Sequence, residues 1–133
     1  MVKIPHVLST AAVGTVLNQK TARSQVLGGI VFGLGQAMTE ETLIDERYGS
    51  YVTRTLADYH VPVNLDVGKI DVIFIPEEDK HINRLGVKGI GELGITSVAA
   101  AIANAVFNAT GKRMRDLPIT PAKLITMDEN VTV

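Results

Sequence analysis

Residues 86–95 read GVKGIGELGI and place four glycines around a single carboxylate, that of Glu92. Glycine leaves the backbone bare, so a neighbouring element or a ligand can approach it closely. A carboxylate desolvated between glycines is a candidate general base, whereas one at the start of a helix is favoured by the helix dipole. The stretch therefore predicts either a catalytic carboxylate beside a bound ligand or an ordinary first-turn glutamate on a surface helix.

The run that follows the glycines has the spacing of an amphipathic helix, predicted over about 95–110. Gly111 is placed to end this helix, and Thr120 with Pro121 is placed to begin a short one. The face opposite the apolar stripe carries small residues, so it can also lie close to a neighbour. The stripe that faces the core consists of Ile95, Val98, Ala99, Ile102, Ala103, Val106 and Phe107.

An earlier segment, 21–41, also has apolar residues at helical spacing and is predicted as a helix with Thr21 as its cap. Each glycine within a helix costs about 1 kcal/mol relative to alanine. Close approach of another element or of a ligand would compensate for that cost. Helix packing is the expectation for the first three of the four glycines in this segment, which are Gly28, Gly29, Gly33 and Gly35.

Strands are predicted on both sides of the glycine-rich helix. Residues 2–17 have the pattern of one or two short strands broken at Gly14, and IDVIFIP at 70–76 is the strongest strand pattern in the chain. A turn is expected at Tyr48 and Gly49, and the stretch 58–69 is expected to be extended. The fold class predicted is α+β, with two long helices packed on a small mixed sheet.

Composition excludes several classes of protein and of site. The chain of 133 residues is 46% hydrophobic and 20% charged, as globular domains are, and its net charge of −1 gives no indication of a nucleic-acid groove. Without cysteine it has no disulfide, zinc-thiolate or iron–sulfur site of its own. The histidines are scattered, and the acidic loop EEDKH at 77–81 is expected to be solvated rather than metal-binding. No signal peptide or membrane span is indicated, so a cytoplasmic location is expected.

GIGELG at 89–94 matches the dinucleotide-binding pattern G-x-G-x-x-G. That motif requires a strand that leads directly into the first glycine, but the strong strand pattern ends near Pro76. Glu92 would also place a negative charge beside the pyrophosphate that binds at such a helix N-terminus. A nucleotide site is therefore disfavoured, and a Walker A loop is excluded because no Lys-Ser or Lys-Thr follows the glycines.

Three blocks of the sequence, in this order, resemble the molybdenum-cofactor subunit of the xanthine dehydrogenase and aldehyde oxidase family. The first is GTVLNQKTARSQVLGGIVFGLGQAMTEE at 14–41, and the second is LADYHVPVNLDV at 56–67. The third is GVKGIGELGITSVAAAIANAVFNATGKRMRDLPITPAKL at 86–124. The resemblance covers about residues 14–126, at the C-terminal part of that subunit.

The resemblance implies a role for three residues. In the family, the glutamate of the Gly-x-Gly-Glu turn is the base in oxidative hydroxylation of an sp² carbon at molybdenum, and Glu92 matches it. Gln25 matches a glutamine whose amide, both donor and acceptor, binds the pterin part of the cofactor. Gly91 would present its backbone to the same site, and no metal ligand is assigned to this chain. The first block departs from the family at AAVGTV, where Ala12 and Thr15 replace parts of an Asp-Val-Gly-Arg type of turn.

Subunits of this family are several times longer, so the resemblance implies that 1–133 is a single partial domain, the C-terminal segment of a molybdopterin-binding domain. The implied partners are the remainder of the molybdenum subunit and iron–sulfur and FAD subunits or domains, with neither nucleic acid nor membrane. The oxidoreductase would act on a purine such as xanthine, an aldehyde or an N-heterocycle. The isolated chain is expected to lack the cofactor, to be inactive, and to self-associate if apolar surface is exposed. The alternative is a remnant or interaction module without activity.

Overall fold

The computed structural model describes residues 2–126, so the ends of the predicted partial domain, residue 1 and residues 127–133, lie outside the described residues. The architecture is α+β, as predicted. None of the helices in the described part is long and apolar enough to cross a bilayer. In chain order the elements are β1 (His6–Ala11), α1 (Gln19–Met38), β2 (Ile44–Asp45), β3 (Ser50–Tyr51), β4 (Lys69–Phe74), α2 (Val98–Thr110) and α3 (Pro121–Thr126).

The strands form two separate sheets, and the prediction of a single mixed sheet is wrong. β1 and β4 pair in parallel, with His6 opposite Lys69 and Ala11 opposite Phe74. β2 and β3 form an antiparallel hairpin around the turn predicted at Tyr48 and Gly49. The hairpin strands have only two residues each and, within residues 2–126, pair only with each other.

Helix α1 begins earlier and ends earlier than predicted. Asn18 is the N-cap, because its side-chain oxygen accepts hydrogen bonds from two amide N–H groups of the first turn, at 3.0 and 3.1 Å. Thr21 therefore lies within the helix rather than at its cap. At the other end, two successive N–H groups after Met38 donate to the carbonyl oxygen of Gly35. This turn stops the helix before the predicted end at Glu41.

Helix α2 begins at Val98 rather than at the predicted Ile95. The residues before it, 91–97, form turns closed by hydrogen bonds between residues three apart, such as the 3.1 Å bond from the N–H of Ile95 to the carbonyl of Glu92. Gly111 ends α2 in the left-handed conformation, with φ of 75°, which confirms the sequence prediction.

The core lies between α1, α2 and the inner face of the β1–β4 sheet. The predicted stripe of α2 is confirmed at Val98, Ile102 and Val106, but Phe107 is 40% exposed and stacks beneath the guanidinium of Arg113 at 3.7 Å. The Phe107 ring therefore packs against the Arg113 guanidinium rather than in the core. The buried cluster consists of Val26, Ile30, Leu34, Ala37, Val72, Val98, Ile102, Val106, Met114 and Ile119.

Two further predicted segments are helix α3, which forms, and the stretch 58–69, which differs from the prediction. Helix α3 forms as predicted, and the hydroxyl of Thr120 accepts the N–H of Lys123 at 3.3 Å at its start. The stretch 58–69 is not continuously extended. There the Asp66 carboxylate accepts the N–H of Val63 at 3.0 Å, and the N–H of Asp66 donates back to the Val63 carbonyl at 2.9 Å, which closes a turn.

The outer face of the β1–β4 sheet carries an acid, Asp71, with two basic neighbours, and this gives a testable pH dependence. Lys69 at 2.7 Å and then His6 at 2.9 Å hold the pKa of Asp71 below its ordinary value of 3.8. Ionised Asp71 therefore contributes stability above its ordinary pKa, and the contribution is lost as the pH falls through the lowered pKa. We expect Asp71→Asn to flatten the acid limb of a melting-temperature profile recorded from about pH 6 to pH 3. Parallel profiles for the two proteins would contradict this prediction.

Candidate functional site

Residues 86–97, here called the glycine turn, carry Glu92 across the N-terminal half of α1. Its first attachment is to the segment after β1. The N–H of Thr15 donates to the carbonyl of Gly86 at 2.9 Å, and the N–H of Lys88 donates to the carbonyl of Val13 at 3.2 Å. Gly14 lies between these bonds with φ of 66°, and a Cβ there would overlap the Gly86 carbonyl oxygen.

Only glycine therefore fits at position 14, and AAVGTV acts as a backbone brace for the glycine turn. Sequence reasoning predicted a strand break at Gly14 and missed this supporting role. The available signal was a glycine directly after the first strand pattern and ahead of the glycine-rich stretch at 86–95, but the pairing of these two segments is long-range.

The side chain of Lys88 provides a second brace. Its Nζ lies 2.7 Å from Glu77 and 3.4 Å from Asp79, and the Glu77 carboxylate is the main cause that raises the pKa of Lys88. The backbone N–H of His81, followed by Lys88, lowers the pKa of Asp79. Two acids of the 77–81 loop thus hold the glycine turn rather than pointing only into solvent. No three His, Asp or Glu side chains converge to hold a metal ion anywhere in residues 2–126.

Glycine contacts between α1 and the glycine turn form the next attachment. A Cβ on Gly29 would lie 2.8 Å from the Cα of Gly94, and a Cβ on Gly94 would lie 2.6 Å from the carbonyl oxygen of Val26. One helical turn further on, a Cβ on Gly33 would overlap the side chain of Val98 at the start of α2. The predicted close packing of Gly29 and Gly33 is confirmed, although Gly29 meets the turn before α2 rather than α2 itself.

The packing prediction for Gly28 is wrong. A Cβ on Gly28 would meet no atom within 4 Å, because this glycine lies on the exposed face of α1.

Gly35, in contrast, is crowded by Glu40 and Pro62 beyond the end of the helix. The hydroxyl of Tyr59 donates to Glu40 at 2.8 Å, and this bond raises the pKa of Tyr59.

Gln25 and Gly91, which the resemblance assigns to one cofactor site, are in direct contact. The Nε2 of Gln25, on the exposed face of α1, donates to the carbonyl oxygen of Gly91 at 2.7 Å. Gly91 has a φ of 23°, a left-handed backbone conformation that residues with a side chain rarely adopt. Because the amide nitrogen is used in this way, the Oε1 of Gln25 is left as an acceptor, without a partner among the described residues.

Glu92 follows Gly91 and lies ahead of Ser97, the N-cap of α2, so it is not in the first turn of that helix. Its side chain is exposed, and across the part of the chain that the structure describes its carboxylate has neither a hydrogen bond nor an ion pair. A Cβ on Gly89 or on Gly91 would meet no atom within 4 Å. The unpaired carboxylate of Glu92 thus lies in a segment with open space at Gly89 and Gly91, and this segment is hydrogen-bonded to Gln25 through the Gly91 carbonyl.

The geometry also decides against the nucleotide interpretation. β4 ends at Phe74, and loop residues lie between it and the glycines at 89–94. After the last of these glycines the chain continues as turns, and α2 begins only at Val98. The strand–glycine–helix order that positions a pyrophosphate at a helix N-terminus is therefore missing from this segment.

Comparison with known proteins gives consistent similarities. Residues 1–68 match the model of the molybdopterin cofactor-binding domain. The aldehyde oxidoreductase molybdenum-binding subunit PaoC of Escherichia coli strain K12 is 48% identical over 124 residues, which are 93% of this chain and 17% of PaoC. The xanthine dehydrogenase molybdenum-binding subunit of Escherichia coli O157:H7 is 38% identical over 123 residues, which are 92% of this chain and 16% of that protein.

Among solved structures, quinoline 2-oxidoreductase from Pseudomonas putida 86 superposes with a TM-score of 0.83 at 30% identity, over 92% of this chain and 16% of that one. The chain thus spans about a sixth of the length of the relatives that it matches. The family model covers more than half of the chain and includes Gln25. Together with the α+β fold and the glycine turn, these matches show that the chain belongs to the molybdopterin cofactor-binding domain family of the xanthine dehydrogenase and aldehyde oxidoreductase molybdenum subunits.

Proposed function

We propose that this chain is the C-terminal part of a molybdenum hydroxylase subunit and supplies that enzyme with a proton acceptor, Glu92, and a cofactor-binding amide, Gln25. The reaction class is oxidative hydroxylation of an sp² carbon in a purine, an aldehyde or an N-heterocycle. The observation that carries the proposal is the 2.7 Å hydrogen bond from Gln25 to the carbonyl of Gly91. It joins the cofactor-binding side chain to the backbone next to the proposed base.

The groups around this hydrogen bond are suited to a molybdopterin cofactor. A pterin presents ring N–H donors and acceptors, and Gln25 offers a free carbonyl oxygen beside a fixed amide nitrogen. The exposed backbone at Gly28, one helical turn after Gln25, carries no side chain that would prevent a large planar ligand from lying against α1. Gln25 and the exposed backbone at Gly28 would thus hold the organic part of the cofactor, and no metal ligand from this chain is proposed.

The role proposed for Glu92 follows from its free carboxylate. The cofactor, when bound, supplies the two-electron oxidation. Hydroxylation of the substrate carbon with oxygen from water releases two electrons, which pass to the cofactor, and two protons. Glu92 takes up one of these protons, which is general-base catalysis by a positioned carboxylate. The bare backbone at Gly89 and Gly91 places no side chain between this carboxylate and an approaching substrate. The braces at Gly14 and Gly29 fix the turn from which Glu92 projects.

The partners proposed are the remainder of the molybdenum subunit together with iron–sulfur and FAD subunits or domains that accept the electrons. Large apolar side chains are exposed over much of the described surface, for example Leu17 at 73% and Phe32 at 66%. Apolar exposure of this kind marks contact surfaces in a larger assembly, and in the isolated chain it favours self-association.

Substitution of Gln25 tests the cofactor-binding role. The probe is a chimera in which this chain replaces the matching segment of E. coli PaoC, produced with the partner subunits of PaoC. Gln25→Ala should lower molybdenum content by several fold while the rate per bound molybdenum falls less, because the amide contributes to binding rather than to proton transfer. Gln36→Ala, at another exposed position of α1, is the matched control and should change neither quantity. Unchanged molybdenum content in Gln25→Ala would exclude this role.

A further inference from the structure

The two edges of the β1–β4 sheet differ. In the observed parallel register, the N–H of Lys69 donates to the carbonyl of Pro5. In each strand, the backbone N–H and C=O groups of every second residue therefore point toward the partner strand. The backbone groups of His6, Leu8 and Thr10 therefore point away from β4. Each strand thus leaves a row of backbone donors and acceptors at an outer edge.

The edge of β4 is already covered. Arg23, on α1, reaches this edge and donates from its guanidinium to the carbonyls of Val72 at 3.2 Å and Ile70 at 3.4 Å. The outer edge of β1 has no such cap, and its outward backbone groups have no hydrogen-bond partner in residues 2–126. Any further strand would therefore add to β1 rather than to β4.

A groove of about 640 Å³ lies beside this open edge, with β1 as one wall and α2 as the other. The α2 wall carries alanines four residues apart, Ala101, Ala105 and Ala109, and Ile102 and Val106 also line the groove. Small apolar residues opposite a row of unpaired backbone groups suit an extended segment. Its backbone can pair with β1 while its side chains pack on the alanines.

General properties of sheets support the same occupant. Parallel strands occur almost only in sheets covered on both faces, and sheets of fewer than three strands are rarely stable alone. Here a two-stranded parallel sheet is covered on one face by the helices, and Leu8, on the other face, is 56% exposed. The relatives extend well beyond the matched region, since this chain spans 17% of PaoC.

We propose that an extended segment from the rest of the molybdenum subunit adds as a third strand to the outer edge of β1, in the groove between β1 and α2. This inference rests on the proposed function in one respect, namely that the chain works within a longer subunit. A strand gains main-chain hydrogen bonds at such an edge and gains specificity from the side chains that enter the groove.

Amide hydrogen exchange with residue resolution tests the inference in the PaoC chimera and in the isolated chain. In the isolated chain, the outward amides of Leu8 and Thr10 should exchange rapidly while the inward amides of Val7 and Ser9 are protected. In the chimera, the outward amides should slow by at least about 100-fold, as expected for amides that enter a stable ladder. Rapid exchange of Leu8 and Thr10 in the chimera would overturn the proposal. Protection in the isolated chain that rises with concentration would also overturn it, in favour of a second copy.

A matched pair of α2 variants separates strand addition from general burial. Ala105→Leu projects into the groove, whereas Ala100→Leu lies at an exposed position outside it. In the chimera, Ala105→Leu should reduce the protection of the outward amides by about 10-fold or more, and Ala100→Leu should not. Equal effects of the two substitutions would contradict the proposal. The inward amides of Val7 and Ser9 report whether each variant has folded.

Strand addition at β1 and cofactor binding can fail independently of each other. A chimera with normal molybdenum content and turnover, but with freely exchanging Leu8 and Thr10, would refute only the strand addition. A chimera with protected outward amides and no molybdenum would refute only the cofactor role.

Discussion

In the PaoC chimera, Glu92→Gln should lower turnover per bound molybdenum by about 10²–10⁴-fold, the usual contribution of a positioned general base. Glutamine has nearly the same volume and keeps hydrogen-bonding capacity, so the glycine turn should retain its shape. It cannot accept a proton at neutral pH, and the proton-transfer step loses its acceptor. Molybdenum content should stay at the level of the unsubstituted chimera, because the bond that ties the turn to Gln25 uses the Gly91 backbone.

Glu46→Gln is the control for loss of a carboxylate in general, since Glu46 is also exposed but lies in the hairpin region. Its turnover per molybdenum should equal that of the unsubstituted chimera. If Glu92→Gln retained a near-normal rate per molybdenum, Glu92 would be an ordinary surface residue and the proposed base would have to be sought elsewhere.

Two neighbouring glycines of α1 should respond to alanine in opposite directions. At Gly29 a new Cβ would lie 2.8 Å from the backbone of Gly94, so the glycine turn must move away from the helix. We expect Gly29→Ala to destabilise the fold by about 1–3 kcal/mol, as overpacking does. At Gly28 the same Cβ enters open space, and the higher helix propensity of alanine should stabilise the fold by up to about 1 kcal/mol.

Urea unfolding of the two variants and the unsubstituted chain would measure both effects. The pair forms its own control, because each variant adds one methyl group to the same helix. A loss of stability in both variants would show that Gly28 is also closely packed, and a loss in neither would show that Gly29 and Gly94 are not in close backbone contact. The prediction concerns stability alone and does not depend on the cofactor.

The sequence predicted those elements whose apolar residues repeat with a clear period. The period of 3.6 placed both long helices and the Val98, Ile102 and Val106 stripe, and Gly111 marked a helix end correctly. The predicted starts of the helices were less accurate, because a helix start depends on individual capping or packing contacts. Asn18 caps α1 in place of Thr21, and α2 begins three residues later than predicted, after turns in which Gly94 packs on α1.

The sheet arrangement could not be derived from local patterns. β1 and β4 are separated by the whole of α1 and the hairpin, and nothing in either strand specifies a parallel partner. The hairpin was visible at its turn, but whether β2 and β3 would join the other strands depended on tertiary contacts. A mixed sheet was therefore predicted where two separate sheets exist.

The candidate site was predictable only through resemblance to a family. Residue type and spacing left Glu92 open between a base and a helix-start residue, and only the family match related it to Gln25. The contact from Gln25 to Gly91 joins distant parts of the chain, as does the brace from Gly14 to Gly86, so no periodicity could indicate either one. The open space around Gly28 likewise became apparent only in three dimensions.

The central claim is that this chain completes the cofactor site of a molybdenum hydroxylase. Elemental analysis of the purified PaoC chimera carrying the unsubstituted chain tests that claim most directly, with PaoC itself as the reference. We expect molybdenum per subunit in the chimera to approach that of PaoC, together with aldehyde oxidation, whereas the isolated chain should hold none. A chimera that folds and assembles with its partner subunits but contains no molybdenum would contradict the claim.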